Sequence, residues 1–164
     1  MIDENSTREE VLEAVKQDSC NLVYFGNDNH KNDKEIVIEA VKNIGYLLVY
    51  ASNELKNDKD VVLVAVRNCG VALKFASDNL KNDKEVVLVA TSQDPYALQF
   101  ASNKFRDDKE IVLQSIKQDG YVLRYASDNI RDDKVVVLEA VRRDGASLLY
   151  ASSRFKCDKK VVLE

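Results

Sequence analysis

The chain has 164 residues, of which 45% are hydrophobic and 32% charged, a size and balance that suit one folded domain with a buried core and argue against disorder. Five Gly, one Pro and no Trp supply too few turn-forming residues for an all-β meander, so a helical class is expected. A net charge of −4 gives no general attraction to phosphate backbones or anionic lipid surfaces, which disfavours nucleic acid as a partner.

From the N-terminus, MIDENSTREE is polar and acidic rather than basic followed by apolar, the reverse of a cleaved signal peptide. No apolar run approaches the roughly 18 residues of a membrane span. Cys20, Cys69 and Cys157 lack the short paired spacing of a zinc or redox motif and read as free thiols in a reducing compartment. The expected location is therefore intracellular and cytoplasmic.

A repeat dominates the chain. Asp33, Asp58, Asp83, Asp108, Asp133 and Asp158 fall 25 residues apart, each followed by Lys. Numbered from these aspartates, a unit reads approximately D-K-E-V-V-L-x-A-V-K-x-D-G-Y-A-L-x-Y-A-S-x-x-L-K-N. Such a period marks stacked supersecondary units. The units are 7–32, 33–57, 58–82, 83–107, 108–132 and 133–157, with a partial seventh over 158–164. The first carries one extra residue, which is assigned to the segment NDNHKN, read with positions 24, 25 and 1 as a loop.

Position 1, Asp or Thr7, is a short oxygen-bearing residue before an apolar run and predicts the N-cap of a first helix. Thr7 and Glu10 have the spacing of a capping box. Apolar positions 4, 5, 6, 8 and 9 span an arc of roughly 200°, too wide for a helix on one core and suited to one wedged between neighbours. Position 13 is Gly45, Gly70, Gly120 and Gly145 but Ser19 and Pro95 elsewhere. Since Pro locks φ near −65°, this position does not require a left-handed backbone, and glycine serves close approach. Asp94-Pro95 then predicts the cap and first residue of a second helix of about ten residues, burying positions 15, 16, 18, 19 and 23, as in Ala97, Leu98, Phe100, Ala101 and Phe105. Small residues at positions 8 and 19, such as Ala65 and Ala76, allow close packing. The expected fold is all-α: a small right-handed α-solenoid of six helix-turn-helix repeats plus a partial seventh, a superhelix of the TPR or HEAT kind, in one domain.

The run DKEIVLQSIKQDGYVLRYASD at residues 108–128 joins two helix signatures at fixed spacing and resembles the repeat family called domain of unknown function 4116. The resemblance spans residues 7–164. It implies tandem helical hairpins, in polypeptides that carry many such repeats and sometimes other modules, and it implies no particular activity. The departures from the pattern are Pro95 for glycine, Thr91 and Ser92 where Val and Lys usually stand, and Ser19 with Cys20 for Gly and Tyr.

No catalytic constellation is expected, nor a metal or cofactor. His30, the single histidine, reads as a solvated loop residue without a second group to orient it. The spaced aspartates read as helix caps rather than a cation ladder. Serines at position 20 (Ser52, Ser77, Ser102, Ser127, Ser152) recur too regularly for a nucleophile and read as packing or helix-face residues. Basic residues at position 24 (Lys56, Lys81, Arg106, Arg131, Lys156) read as cations opposing a helix dipole rather than a phosphate track.

In repeat proteins the variable exposed positions are free to recognise a partner. Positions 14, 17 and 21 of the second helix qualify, with Tyr46, Val49, Lys74, Tyr96, Gln99, Tyr121 and Arg124 as the candidate protein-binding residues; aromatics and Arg contribute most of the energy at such surfaces. The alternative is that the tyrosines are wedges between hairpins. A second choice is position 7, apolar at Val64 and Val89. Val161, Val162 and Leu163, on a helix without its hairpin partner, form a candidate self-association end. The leading expectation is a non-catalytic protein-interaction scaffold; the alternatives are a spacer or self-assembly module of a longer array, then a nucleic-acid reader.

Overall fold

The computed structural model describes residues 6–162. Among them every regular element is helical, and none is long and apolar enough to cross a membrane. The helices recur with the 25-residue period as a row of units, long helix against long helix and 3-10 helix against 3-10 helix. The chain is an α-solenoid.

Each unit has three helical pieces rather than two. Unit 3 shows the pattern: a long helix Lys59–Asn68, a 3-10 helix Gly70–Phe75 and a short α-helix Asp78–Lys81. The first begins as the sequence predicts, with the Asp58 carboxylate accepting the N–H groups of Asp60 and Val61 at 3.0 and 3.2 Å and Thr7 and Glu10 forming the predicted capping box. Asp94 accepts the Tyr96 N–H at 2.8 Å with Pro95 as the first residue of its 3-10 helix.

The continuous second helix is corrected. It breaks at position 19, where Ala51, Ala76, Ala101, Ala126 and Ala151 are all extended. The cause is the serine that follows. Ser52 Oγ accepts the Leu55 N–H at 3.2 Å, so it caps a new helix. The same hydroxyl donates to Asn32 of the preceding unit at 2.6 Å, while the Ser52 N–H donates to the Lys31 carbonyl at 2.9 Å. A side chain that can cap a following turn competes with helix continuation. All five position-20 serines donate to the last residue of the preceding unit, and Ser52, Ser77 and Ser127 also cap the helix that follows.

The extra residue of unit 1 and the role of His30 are corrected as well. Asn27–Asn32 is no loop: Asp28–Lys31 is the short helix, capped by Asn27, whose side chain accepts the His30 N–H at 3.1 Å. His30 Nδ1 accepts the Asn27 N–H in return, at 3.3 Å. His30 is 6% exposed and occupies the place that Leu55, Leu80, Phe105, Ile130 and Phe155 fill in later units. Since Leu22 matches Leu48 at an offset of 26 and Asn27 matches Ser52 at 25, the additional residue lies between Leu22 and Asn27.

The glycines serve the expected close approach, between units rather than within a turn. Every described backbone φ is negative, but a Cβ on Gly45, Gly70 or Gly120 would stand 2.3, 2.3 and 2.4 Å from the carbonyl oxygens of Ala65, Ala90 and Ala140 in the next long helix. Side chains at position 11 close the same seam: Asn68 accepts the Gly45 N–H at 2.7 Å and donates to the Lys42 carbonyl at 3.2 Å. At Pro95 the residue carries the carbon that the glycines lack. There the following long helix stops early, at Ile116, and Tyr96 Oη donating to Asp119 at 2.6 Å, with Gln118 donating to the Thr91 carbonyl at 2.9 Å, bridges the seam instead.

A charge ladder runs along the starts of the long helices. Arg8, Lys34, Lys59, Lys109 and Lys134 reach the capping aspartates Asp33, Asp58, Asp83, Asp133 and Asp158 of the next unit at 2.6–2.9 Å. Among the described residues the rung from Lys84 to Asp108 is missing, at the same seam as Pro95. At Asp83 the Lys59 ammonium holds the carboxyl below its usual range against the effect of burial. At Asp33, Asp58 and Asp133 burial opposes ionisation, but the cation and the capped N–H groups together outweigh it and lower the value. Depressed carboxyls stabilise the fold above their unfolded value near 3.9 and stop doing so as pH falls through the folded value. Thermal melts should therefore be flat from neutral pH to about 5 and fall below about 4. Asp83→Asn, which keeps a capping oxygen and loses the charge, should show a shallower acid fall; an unchanged acid limb would refute the ladder's part in it.

Candidate functional site

The 3-10 helices lie side by side and make one face of the row. With three residues per turn, side chains at i and i+3 eclipse, so positions 14 and 17 stand one above the other: Tyr46 and Val49, Tyr96 and Gln99, Tyr121 and Arg124. Gln99 donates to the Tyr96 carbonyl at 3.1 Å and Arg124 to Tyr121 Oη at 3.2 Å. Position 21, placed with them on a continuous helix by the sequence, lies beyond the break and belongs to the short helix.

Position 18 joins this face. The burial expected there is corrected: Tyr50 is 43% exposed and Phe75, Phe100, Tyr125 and Tyr150 are half-buried. Each unit carries an aromatic there, beginning with Tyr24 at 73% exposure. All seven tyrosines consequently stand in two adjacent columns, positions 14 and 18. The signal was available: the aromatic core position 23 uses Phe and never Tyr, whereas position 18 is Tyr in four of its six units, and a phenol asks for water or a partner.

Rings from the two columns meet across unit boundaries. Tyr46 packs edge-on against Phe75 with centroids 4.7 Å apart, Tyr121 against Tyr150 at 4.9 Å and Tyr96 against Tyr125 at 6.1 Å. The position-14 tyrosines are therefore wedges and surface at once: Tyr46 is 49% exposed, Tyr96 and Tyr121 half-buried. The Arg124 guanidinium lies 5.2, 5.1 and 5.5 Å from the rings of Tyr121, Tyr125 and Tyr150, and Lys74 Nζ lies 5.8 Å from Phe75. The Tyr96 hydroxyl is pushed up to about 12 by its bond to the Asp119 carboxylate and by burial. Tyr150 is raised by its bond with Tyr121.

One flank of the ladder changes character along its length. Position 12 is Ile44, 39% exposed, and Cys69 in units 2 and 3, then Asp94, Asp119 and Asp144. These three carboxylates accept the position-14 N–H groups at 2.8–2.9 Å.

The other candidates are placed as follows. Val64 and Val89 are half-buried and pack against the core. Val161 is 0% exposed, packed as position 4 of the seventh unit, so it offers no open surface; Leu163 and the side chain of Val162 lie outside the described residues. Among the position-24 cations Arg131 pairs with Asp128. Cys20 and Cys69 are half-buried, Cys157 is exposed, and all three are free.

A row of hairpins sharing one core, with an aromatic column on one face, defines a helical-repeat protein. The profile of the family described as Domain of unknown function (DUF4116) matches residues 7–56, 33–81, 58–106, 83–131, 108–156 and 133–164. The chain belongs to that family. The first five matches each span about two units, stepping by one, as expected where a unit is completed only by its neighbour. No curated protein and no solved structure matches.

Proposed function

We propose that the chain is a non-catalytic scaffold that docks a protein partner on its tyrosine face. The observation that carries this reading is the gathering of every tyrosine into two columns on one face. Tyrosine offers large contact area at low entropic cost and a hydroxyl for directional bonding, which is why it concentrates at recognition surfaces. His30, the capping aspartates and the position-20 serines each have a structural role that accounts for them. The free thiols fit an intracellular setting.

The test is a photo-crosslinking residue in place of Lys74 or Gln99, with the Tyr96→Ala, Tyr121→Ala double variant as control. A discrete crosslinked protein, lost in the control while the melting curve stays cooperative, supports the reading. The same crosslinks in both chains would remove the face assignment.

A second reading, a spacer or self-assembly module, is favoured by Gly145. A Cβ there would meet nothing within 4 Å, whereas on Gly45, Gly70 and Gly120 it would stand 2.3, 2.3 and 2.4 Å from a carbonyl oxygen of the next unit, so Gly145 offers an open seat for a further copy of the repeat. Light scattering that gives one monomer mass at every concentration would count against self-association. A nucleic-acid reading is third, and unchanged nucleic-acid mobility at low salt would remove it.

A further inference from the structure

We infer that the tyrosine face takes a proline-rich, basic segment in the polyproline II conformation, an inference that rests on the scaffold reading above. The ladder supplies one aromatic per unit at position 18, Tyr24, Tyr50, Phe75, Phe100, Tyr125 and Tyr150, supplemented by Tyr46, Tyr96 and Tyr121 from position 14. Packed helical units are spaced about 8 to 10 Å apart. A polyproline II helix presents the same side every three residues, about 9.3 Å, so one of its turns advances by one unit. An extended strand repeats its face every two residues, about 6.7 Å, and drifts out of step. An α-helix turn advances about 5.4 Å and fits no better.

The chemistry agrees with that spacing. The 3-10 helices have spent their backbone groups on internal bonds and caps, so the face offers rings and the hydroxyls of Tyr46, Tyr50 and Tyr125 rather than a sheet edge, those of Tyr96, Tyr121 and Tyr150 being bonded within the face. Proline lacks an N–H and needs no edge, and its carbonyls accept bonds from hydroxyls at ring tips. Ring faces between successive tyrosines accept pyrrolidine rings.

Charge sets the sign of the partner. Over units 4 to 6 the flank carries Asp94, Asp119 and Asp144, each half-buried. The cations of the face, Lys74 and Arg124, lie on its own rings. Over units 1 and 2 the patch is apolar: Tyr24, Ile44, Tyr46 and Tyr50 are 73%, 39%, 49% and 43% exposed. The complementary segment has a proline-only stretch over the first units and Lys or Arg among prolines over the last.

The experiment titrates the full chain with a peptide of Arg-Pro-Pro repeats, reading tyrosine ring resonances, beside Arg-Gly-Gly and Glu-Pro-Pro repeats of equal length. The expected result is saturable binding of the first with shifts at Tyr46 and Tyr50 and also at Tyr125 and Tyr150 of the acidic end, at least about tenfold tighter than either control. Tyr46→Ala with Tyr50→Ala should weaken it about tenfold; Tyr24→Ala, whose ring is 73% exposed, repeats the test without touching the core. Equal binding of Arg-Gly-Gly or of Glu-Pro-Pro repeats overturns the inference. Crosslinks from position 74 or 99 to segments without proline overturn it too, while the scaffold reading stands; if neither peptide nor crosslink is found, both fall.

Discussion

Gly70→Ala is expected to destabilise the chain by about 3 kcal/mol, whereas Gly145→Ala, the same repeat position, should leave it unchanged or stabilise it by about 0.5 kcal/mol. At Gly70 the added carbon would stand 2.3 Å from the Ala90 carbonyl oxygen and 2.9 Å from Asp94 atoms. Both the oxygen and the Asp94 nitrogen are backbone, so no rotamer change relieves the contact and the two units must separate. Separation also pulls the Gly70 N–H from the Gln93 side chain that receives it. At Gly145 nothing lies within 4 Å of the new carbon. Its φ is negative, so alanine fits and only restricts the unfolded chain. Urea unfolding of both variants decides the matter. A Gly70→Ala midpoint close to wild type would mean the seats are soft and the units are not held by them.

Pro95 is the same experiment already made in the chain. Proline carries the carbon that the glycines lack, and the next long helix ends at Ile116 instead of reaching position 11. Two other features change at that seam: the Lys84 to Asp108 rung is missing, and the aromatic pair Tyr96 and Tyr125 sits at 6.1 Å rather than under 5 Å. These changes and Pro95 all fall on the boundary between units 4 and 5.

The long helices were legible because their signals are local. A capping Asp, an apolar run and a 25-residue period need no knowledge of neighbours. Gly45 and Pro95 together also told, correctly, that close approach and not backbone sign was at stake. The break at position 19 was missed because its cause is bipartite: Ser52 caps its own short helix and ties to Asn32 and Lys31 of the unit before. Its regular recurrence marks the tie between units, which all five serines make. His30 was misplaced for a related reason. Aligning unit 1 from its start put the extra residue after the point where the fold absorbs it, and a histidine in the place of Leu55 does not announce burial. The tyrosine columns were half legible. Position 14 varies and drew attention; position 18 is aromatic throughout and was taken for core, though its hydroxyls indicated otherwise.

Phe105→Ala is the change with the largest expected effect, about 3 to 5 kcal/mol. Phe105 is 1% exposed and the bulkiest of the fully buried side chains. It sits on the short helix Asn103–Arg106, which packs on its own 3-10 helix and on the next long helix. It therefore fills space on both sides of the seam on which Pro95 falls. In a row whose stability is a sum of units and interfaces, weakening one interior interface separates the halves. The variant should unfold in two steps, with hydrogen exchange rising over residues 103–131 on both sides of the seam. Phe155→Ala removes an equivalent ring, 3% exposed, from the last complete unit, where no further full unit depends on it. Its exchange should rise only over 134–162, with a single transition kept elsewhere. If both variants lost protection evenly along the chain, the units would be folding around one shared centre, and the reading of the molecule as a row of mutually completed hairpins would have to be abandoned.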